Sequence, residues 1–144
     1  MILRRIALVR KVYLRDKKPW IVAFSGGKDS TAALQLVWLA VSSVPEEKRH
    51  KPIYVAYVDT GMEYPAFALQ VEAVLQKIHT AAVQQKMPIL TLKLRPELKY
   101  RFFVAVIGRG YAPPTHWFRW CTSKMRIHPC LLYTSPSPRD RTRS

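Results

Sequence analysis

The period of the apolar positions changes several times along the chain, and each change marks an element. From Met1 to Lys18, Ile2, Leu3, Ile6, Val9 and Tyr13 recur at helical spacing, with Arg4, Arg5, Arg10, Lys11 and Arg15 between them. This predicts an amphipathic helix with a basic face, broken at Pro19, which lacks the N–H that a helix needs. Trp20 to Phe24 is short, continuous and apolar and runs into glycines, the pattern of a buried strand. Asp29 to Val41 is apolar almost all round, with Gln35 the only polar side chain in its interior, so a helix packed on more than one side is expected. The charged run Pro45 to Pro52, with Glu46, Glu47, Lys48, Arg49 and His50, reads as a solvated connection.

Ile53 to Val58 is a second buried strand. Tyr64 to Gln85 sets Phe67, Val71, Val74, Leu75, Ile78 and Ala82 on one helical face, with Glu72, Gln76, Lys77 and His79 mainly outside it. Pro88 to Leu94 is a third strand. Lys99 to Ile107 reads as a helix stopped at Gly108-Arg109-Gly110, and Thr122 as the cap of a short helix, Ser123 to Ile127. Strand, helix, strand, helix, strand predicts an α/β fold: a Rossmann-like parallel sheet with flanking helices and right-handed crossovers.

A length of 144 residues allows one domain at most, long enough to bury a core. The expected organisation is the N-terminal basic helix over residues 1–18, the α/β domain over 19–129, and a change of character after Pro129. Residues 130–144 show no periodicity. They resemble translated sequencing-adapter read-through, so the domain is expected to be incomplete at its C-terminal end; a basic disordered tail is the other reading.

Composition sharpens the picture in two ways. Apolar content of 49% argues against disorder. A net charge of +15 points to an anionic partner, and both DNA or RNA and a nucleotide substrate fit it. No run of 18 apolar residues occurs, so no membrane span is expected. The Arg-rich start lacks the apolar core and cleavage site of a secretory signal. Two cysteines, Cys121 and Cys130, make no disulfide framework, and a cytoplasmic location is the expectation.

The chemistry is concentrated in two stretches. The first, Ser25-Gly26-Gly27-Lys28-Asp29-Ser30-Thr31, joins the first strand to the helix after it. A strand, a glycine turn and a helix start make an anion site from open N–H groups and the positive end of the helix dipole. The common phosphate-loop pattern G-x-x-x-x-G-K-[ST] does not fit, because no glycine stands five residues before Gly27 and Asp29 follows Lys28. A carboxylate there repels bare phosphate and belongs beside magnesium, which takes carboxylate and phosphate oxygens together. Asp59-Thr60-Gly61 follows the second strand, at the end of a buried strand that faces the ligand crevice in open α/β sheets. The second stretch is Tyr111 to Thr122, where Pro113 and Pro114 precede Trp117, Phe118, Arg119, Trp120 and Cys121. Arg119 suits phosphate or sulfate, and the aromatics either stack on a base or pack the loop onto its domain.

Ser-Gly-Gly-x-Asp-Ser is the signature of the PP-loop ATP pyrophosphatases, with an adenine nucleotide alpha-hydrolase-like fold. Pro19-Trp20, Leu34 to Trp38, Asp59-Thr60-Gly61 with Glu63 and Pro65, Ile107-Gly108-Arg109-Gly110-Tyr111 and Phe118-Arg119-Trp120-Cys121-Thr122 extend the match. Over residues 10 to 129 the chain resembles the DndC family, sulfurtransferases of bacterial DNA phosphorothioation related to phosphoadenosine-phosphosulfate (PAPS) reductases.

The resemblance implies replacement of a non-bridging oxygen of the DNA backbone phosphate by sulfur, after adenylylation by ATP with release of pyrophosphate. It implies a four-iron iron–sulfur cluster, a cysteine desulfurase as sulfur source and other phosphorothioation proteins as partners. On this reading Ser25, Gly26, Gly27, Lys28 and Ser30 hold pyrophosphate, and Asp29 holds magnesium. Asp59, Thr60 and Gly61 meet the nucleotide, Arg109 and Arg119 hold anionic substrate, and Cys121 is a cluster ligand or sulfur relay. A four-iron cluster takes four cysteines, and before residue 130 the chain has only Cys121. A PAPS-reductase-like enzyme acting on a small sulfonucleotide, and a non-catalytic basic nucleic-acid-binding subunit, are the alternatives.

Overall fold

The computed structural model describes residues 1–134. The polypeptide divides into two compact units, the first formed by Met1–Tyr57 and Ala66–Leu92 and the second by Val58–Pro65 with the chain from Lys93 onward.

The elements arise in the order the periodicity predicts: α1 (Ile2–Arg15), β1 (Trp20–Ala23), α2 (Lys28–Ser42), β2 (Ile53–Val58), α3 (Pro65–Gln84) and β3 (Ile89–Leu94). The fold is α/β, a three-stranded sheet in the order β1-β2-β3 with flanking helices. β1 and β2 are parallel, with Trp20 opposite Ile53 and Ala23 opposite Ala56. The Ile53 amide donates to Pro88 O at 2.7 Å and the Asp59 amide to Leu94 O at 2.8 Å, which carries the ladder to β3.

Alternation along β2 puts Ile53, Val55 and Tyr57 on one face. They form one core with Phe24, Leu34, Val41, Val71, Leu75 and Ile89. Fully burying a side chain such as Val55 contributes about 1.5–3 kcal/mol. α2 packs against both α1 and β1, as its apolar circumference requires. Its outer residue Leu39 remains 44% exposed.

The run Pro45 to Pro52 is a solvated connection as expected at Pro45 to Lys48 and His50, which are exposed, but not at Lys51. A single 3₁₀ turn, Glu46–Lys48, lies within it, and Lys51 is fully buried. The Lys51 ammonium donates to Asp16 Oδ1 at 2.8 Å and lies 5.2 Å from the ring centre of Tyr13 and 4.9 Å from that of Trp20. Tyr13 Oη donates in turn to Lys51 O at 3.1 Å. A carboxylate and two aromatic faces replace the water the ammonium loses. Arg49 is also engaged: its guanidinium donates to Val44 O, Ser42 O and Gln85 O. It thus satisfies carbonyls at the C-terminal ends of α2 and α3, where a cation also suits the helix dipoles.

The second unit is less regular. Where one helix over Lys99–Ile107 was expected, a 3₁₀ turn at Leu98–Tyr100 is followed by a π-helical turn, Val104–Gly108. The short helix at Thr122–Ile127 is also π-helical. Thr122 is its first residue rather than its cap, and no side chain caps it. It continues into α4, His128–Thr134, so a helix crosses the change of composition at Pro129; the rest of the tail lies outside the described residues. Ala105, Trp120 and Met125 form this unit's own core, with Phe102, Val106 and Tyr111 against it.

Candidate active site

The first chemistry-bearing stretch lies within the first unit. Gly26 has φ +78°, and a Cβ placed on it would meet Val71 Cγ2 at 2.8 Å and Phe67 Cζ at 3.1 Å. The turn is therefore glycine-specific for two reasons, backbone handedness and the side chains of α3 beneath it. α2 begins at Lys28 with Gly27 before it and no side-chain cap, so the first-turn N–H groups are left open for an anion. The first backbone bond runs from the Thr31 amide to Gly27 O, at 3.0 Å.

The hydroxyls of the loop are used to close it. Ser25 Oγ and Ser30 Oγ are 3.1 Å apart, Ser30 Oγ donates to Gly27 O at 3.0 Å, and Thr31 Oγ1 donates to the same carbonyl at 2.8 Å. Lys28 and Asp29 are exposed. Among the described residues the Asp29 carboxylate has no hydrogen-bond or ion-pair partner. The helix dipole itself favours a carboxylate on the first turn, and this one leaves both oxygens open to a cation.

Asp59, Thr60 and Gly61 belong to the second unit. Asp59 Oδ2 accepts from Arg95 Nε at 3.1 Å and lies 3.9 Å from Lys93 Nζ. Its Oδ1 accepts the Gly61 N–H at 3.1 Å. Gly61 has φ +73° with open space around it. Thr60 is buried and donates to Glu63 Oε1 at 2.7 Å. The second Glu63 oxygen is buried without a partner among the described residues, which suits a donor such as a sugar hydroxyl. Glu63 earned no role from the sequence, because its burial depends on the turn that Thr60 holds.

Arg119 and Cys121 line one cavity of about 460 Å³ within the second unit, together with Thr60, Thr115, Thr122 and Arg126. Arg119 is aimed by His116: its Nε donates to His116 O at 3.0 Å and its Nη2 to His116 Nδ1 at 2.7 Å. Cys121 is half-buried. Arg109 is not among the cavity's lining residues; its guanidinium lies over the Tyr111 ring at 5.2 Å and donates to Lys99 O at 3.4 Å. The aromatics of the segment divide. Trp120 is buried, stacked with Phe102 at 6.5 Å and edge-on to Tyr111 at 5.3 Å, with its Nε1 donating to Ala112 O at 3.0 Å. Trp117 is 92% exposed.

The residues differ in how they fit the implied cofactors. Magnesium binds through one or two carboxylates plus substrate phosphates, and Asp29 supplies such a carboxylate. A four-iron cluster takes four thiolates, and this chain has two cysteines, Cys121 and Cys130. Among the described residues no group of three or more His, Cys, Asp or Glu is arranged to hold a metal. Burial pushes the Cys130 thiol up from its ordinary pKa, away from the thiolate a metal needs. The chain's own residues do not fit the cluster.

Among the described residues no helix is long and apolar enough to cross a membrane. No protein-family model matches the chain, and no solved structure matches it. Over 135 residues, 94% of its length, it is 32% identical to the uncharacterized protein MJ0066 of Methanocaldococcus jannaschii, and it spans about a quarter (24%) of the length of that relative.

Proposed function

We propose that this chain is the ATP-cleaving part of a sulfurtransferase of the DndC kind, which activates a DNA backbone phosphate for phosphorothioate modification. The observation that carries the reading is the loop Ser25–Thr31, with left-handed Gly26, an uncapped start of α2 and the free carboxylate of Asp29. The first-turn amides and the dipole of α2 receive the β,γ-pyrophosphate, which must leave as an anion. Lys28 adds positive charge at the same helix end. Asp29 holds the magnesium that screens the phosphates, and magnesium supplies the charge neutralisation that makes pyrophosphate a leaving group.

In the proposed reaction a DNA phosphate oxygen attacks the α-phosphorus of ATP. The bond to pyrophosphate breaks, and an adenylylated DNA phosphate results. A persulfide supplied through a cysteine desulfurase then attacks that phosphate and expels AMP, and a second thiol cleaves the resulting P–S–S bond, leaving the phosphorothioate and a disulfide. Arg119 and Cys121, in one cavity, suit the anion-binding and sulfur-handling parts of this sequence. The chemistry belongs in the cytoplasm, where ATP, DNA and reduced thiols meet, and other phosphorothioation proteins complete the complex.

Pyrophosphate release from ATP, measured with and without duplex DNA, tests the proposal. The expected result is DNA-stimulated release lost by about 100-fold in Asp29→Ala, the scale of removing one electrostatic catalytic group. DNA-independent sulfite production from a sulfonucleotide with a thiol donor would instead identify a PAPS-reductase-like enzyme. DNA binding with steep salt dependence and no pyrophosphate would identify a binding subunit.

A further inference from the structure

Arg119 is expected to hold an anion by its planar guanidinium fork, and the resemblance implies Arg109 beside it. The geometry gives Arg119 a different companion. Arg126 lines the same cavity as Arg119 and Cys121, and it is exposed. Among the described residues no hydrogen bond, ion pair or ring contact engages its guanidinium. Arg109, by contrast, is held over Tyr111 and against Lys99 O.

The helical turn explains why Arg126 reaches the cavity. Cys121 and Met125, and Thr122 and Arg126, are pairs four residues apart, and all four line the cavity. The π-helical winding of Thr122–Ile127 keeps such pairs on one side. Met125 is buried and anchors the turn in the second unit's core, which fixes the face on which Arg126 stands. Thr115 and Thr122 add hydroxyls to the same wall. Two guanidiniums, three threonines and a thiol, with no carboxylate among the lining residues, make a receptor for a tetrahedral oxyanion.

We propose that Arg126 acts with Arg119 to hold a tetrahedral oxyanion beside the Cys121 thiol, the anion being a phosphodiester or the sulfate of a sulfonucleotide. This assignment rests on the proposed sulfurtransferase reading only for the identity of the anion's carrier. The oxyanion site itself follows from the cavity.

The test compares alkylation of Cys121 by iodoacetate, an anion, and by neutral iodoacetamide, in a Cys130→Ser background. The iodoacetate-to-iodoacetamide rate ratio is expected to fall about five- to tenfold in Arg126→Gln and in Arg119→Gln, the worth of one close charge in a half-exposed site. Arg126→Lys should keep most of the ratio, and Arg109→Gln should leave it unchanged. The iodoacetamide rate reports whether the cavity has kept its shape, because loss of structure changes both rates together.

Inorganic sulfate should slow iodoacetate in the parent protein and not in Arg126→Gln. Protection by a short DNA duplex assigns the anion to the backbone, and protection by adenosine 5′-phosphosulfate assigns it to a sulfonucleotide. An unchanged rate ratio in Arg126→Gln at an unchanged iodoacetamide rate overturns the proposal, as does failure of sulfate, duplex and phosphosulfate all to protect. No ATP enters the assay, so its outcome is independent of whether the loop at Ser25–Thr31 releases pyrophosphate.

Discussion

Val71 Cγ2 lies 2.8 Å from the point where a Cβ on Gly26 would stand. The helix that follows the second strand therefore forms the floor of the loop that follows the first. Its residues Phe67 and Val71 set how low the turn can sit. Gly26→Ala should cost about 2–4 kcal/mol, combining the left-handed backbone with overpacking. Gly61→Ala, with a similar φ and open surroundings, should cost only about 1–2 kcal/mol. Urea denaturation of both variants checks the difference. Val71→Ala should recover part of the Gly26→Ala loss, a coupling that two independent sites would not show.

The Lys51 pair gives the first unit an acid-sensitive joint. The Lys51 ammonium hydrogen-bonds Asp16 and, with the Lys18 amide, holds its carboxyl below the ordinary 3.8. A depressed carboxyl stabilises the folded chain above its unfolded pKa, and that contribution is lost as pH falls through the folded value. Urea midpoints measured from about pH 6 to about pH 2 should drop in the parent protein below the ordinary carboxyl range. Asp16→Asn should start lower at neutral pH and show a shallower acid fall. An acid fall identical to the parent's in Asp16→Asn would assign the acid loss to other carboxylates.

The two tryptophans of the second informative stretch should separate cleanly. Trp120→Ala removes a ring packed between Phe102 and Tyr111 and should cost about 3–5 kcal/mol of stability. Trp117→Ala, at an exposed position, should change stability by no more than about 0.5 kcal/mol. If Trp117 stacks on a nucleic-acid base, the same variant should weaken single-stranded DNA binding by about 1–3 kcal/mol. Thermal unfolding and fluorescence anisotropy read the two effects apart.

How far the fold could be read from the chain follows from where its information lies. The strands at Trp20, Ile53 and Ile89 and the helices α2 and α3 fall within a residue of their expected ends, because each is set by local periodicity and a glycine or proline boundary, whereas α1 stops at Arg15, three residues before the expected Lys18. Lys51 could not be recognised as buried inside a charged run, since its burial depends on Tyr13, Asp16 and Trp20 arriving from distant sequence. The glycine turn and helix start at Ser25–Thr31 were legible because their residues are contiguous. The place of Arg126 in the cavity was not, because it depends on Thr60, Phe102 and Thr115 arriving from other parts of the chain. Arg109, implied by the resemblance to hold an anion, lies with its guanidinium over Tyr111 and against Lys99 O, a placement that its sequence neighbours do not show.

The central claim is that the loop at Ser25–Thr31 cleaves ATP between its α and β phosphates. The most direct measurement is the identity of the products from α- and γ-labelled ATP, with magnesium and duplex DNA, for this chain and in parallel for its archaeal relative. The account predicts AMP and pyrophosphate, stimulated by DNA and lost in Asp29→Ala. ADP and inorganic phosphate, or AMP formation undiminished in Asp29→Ala, would contradict it.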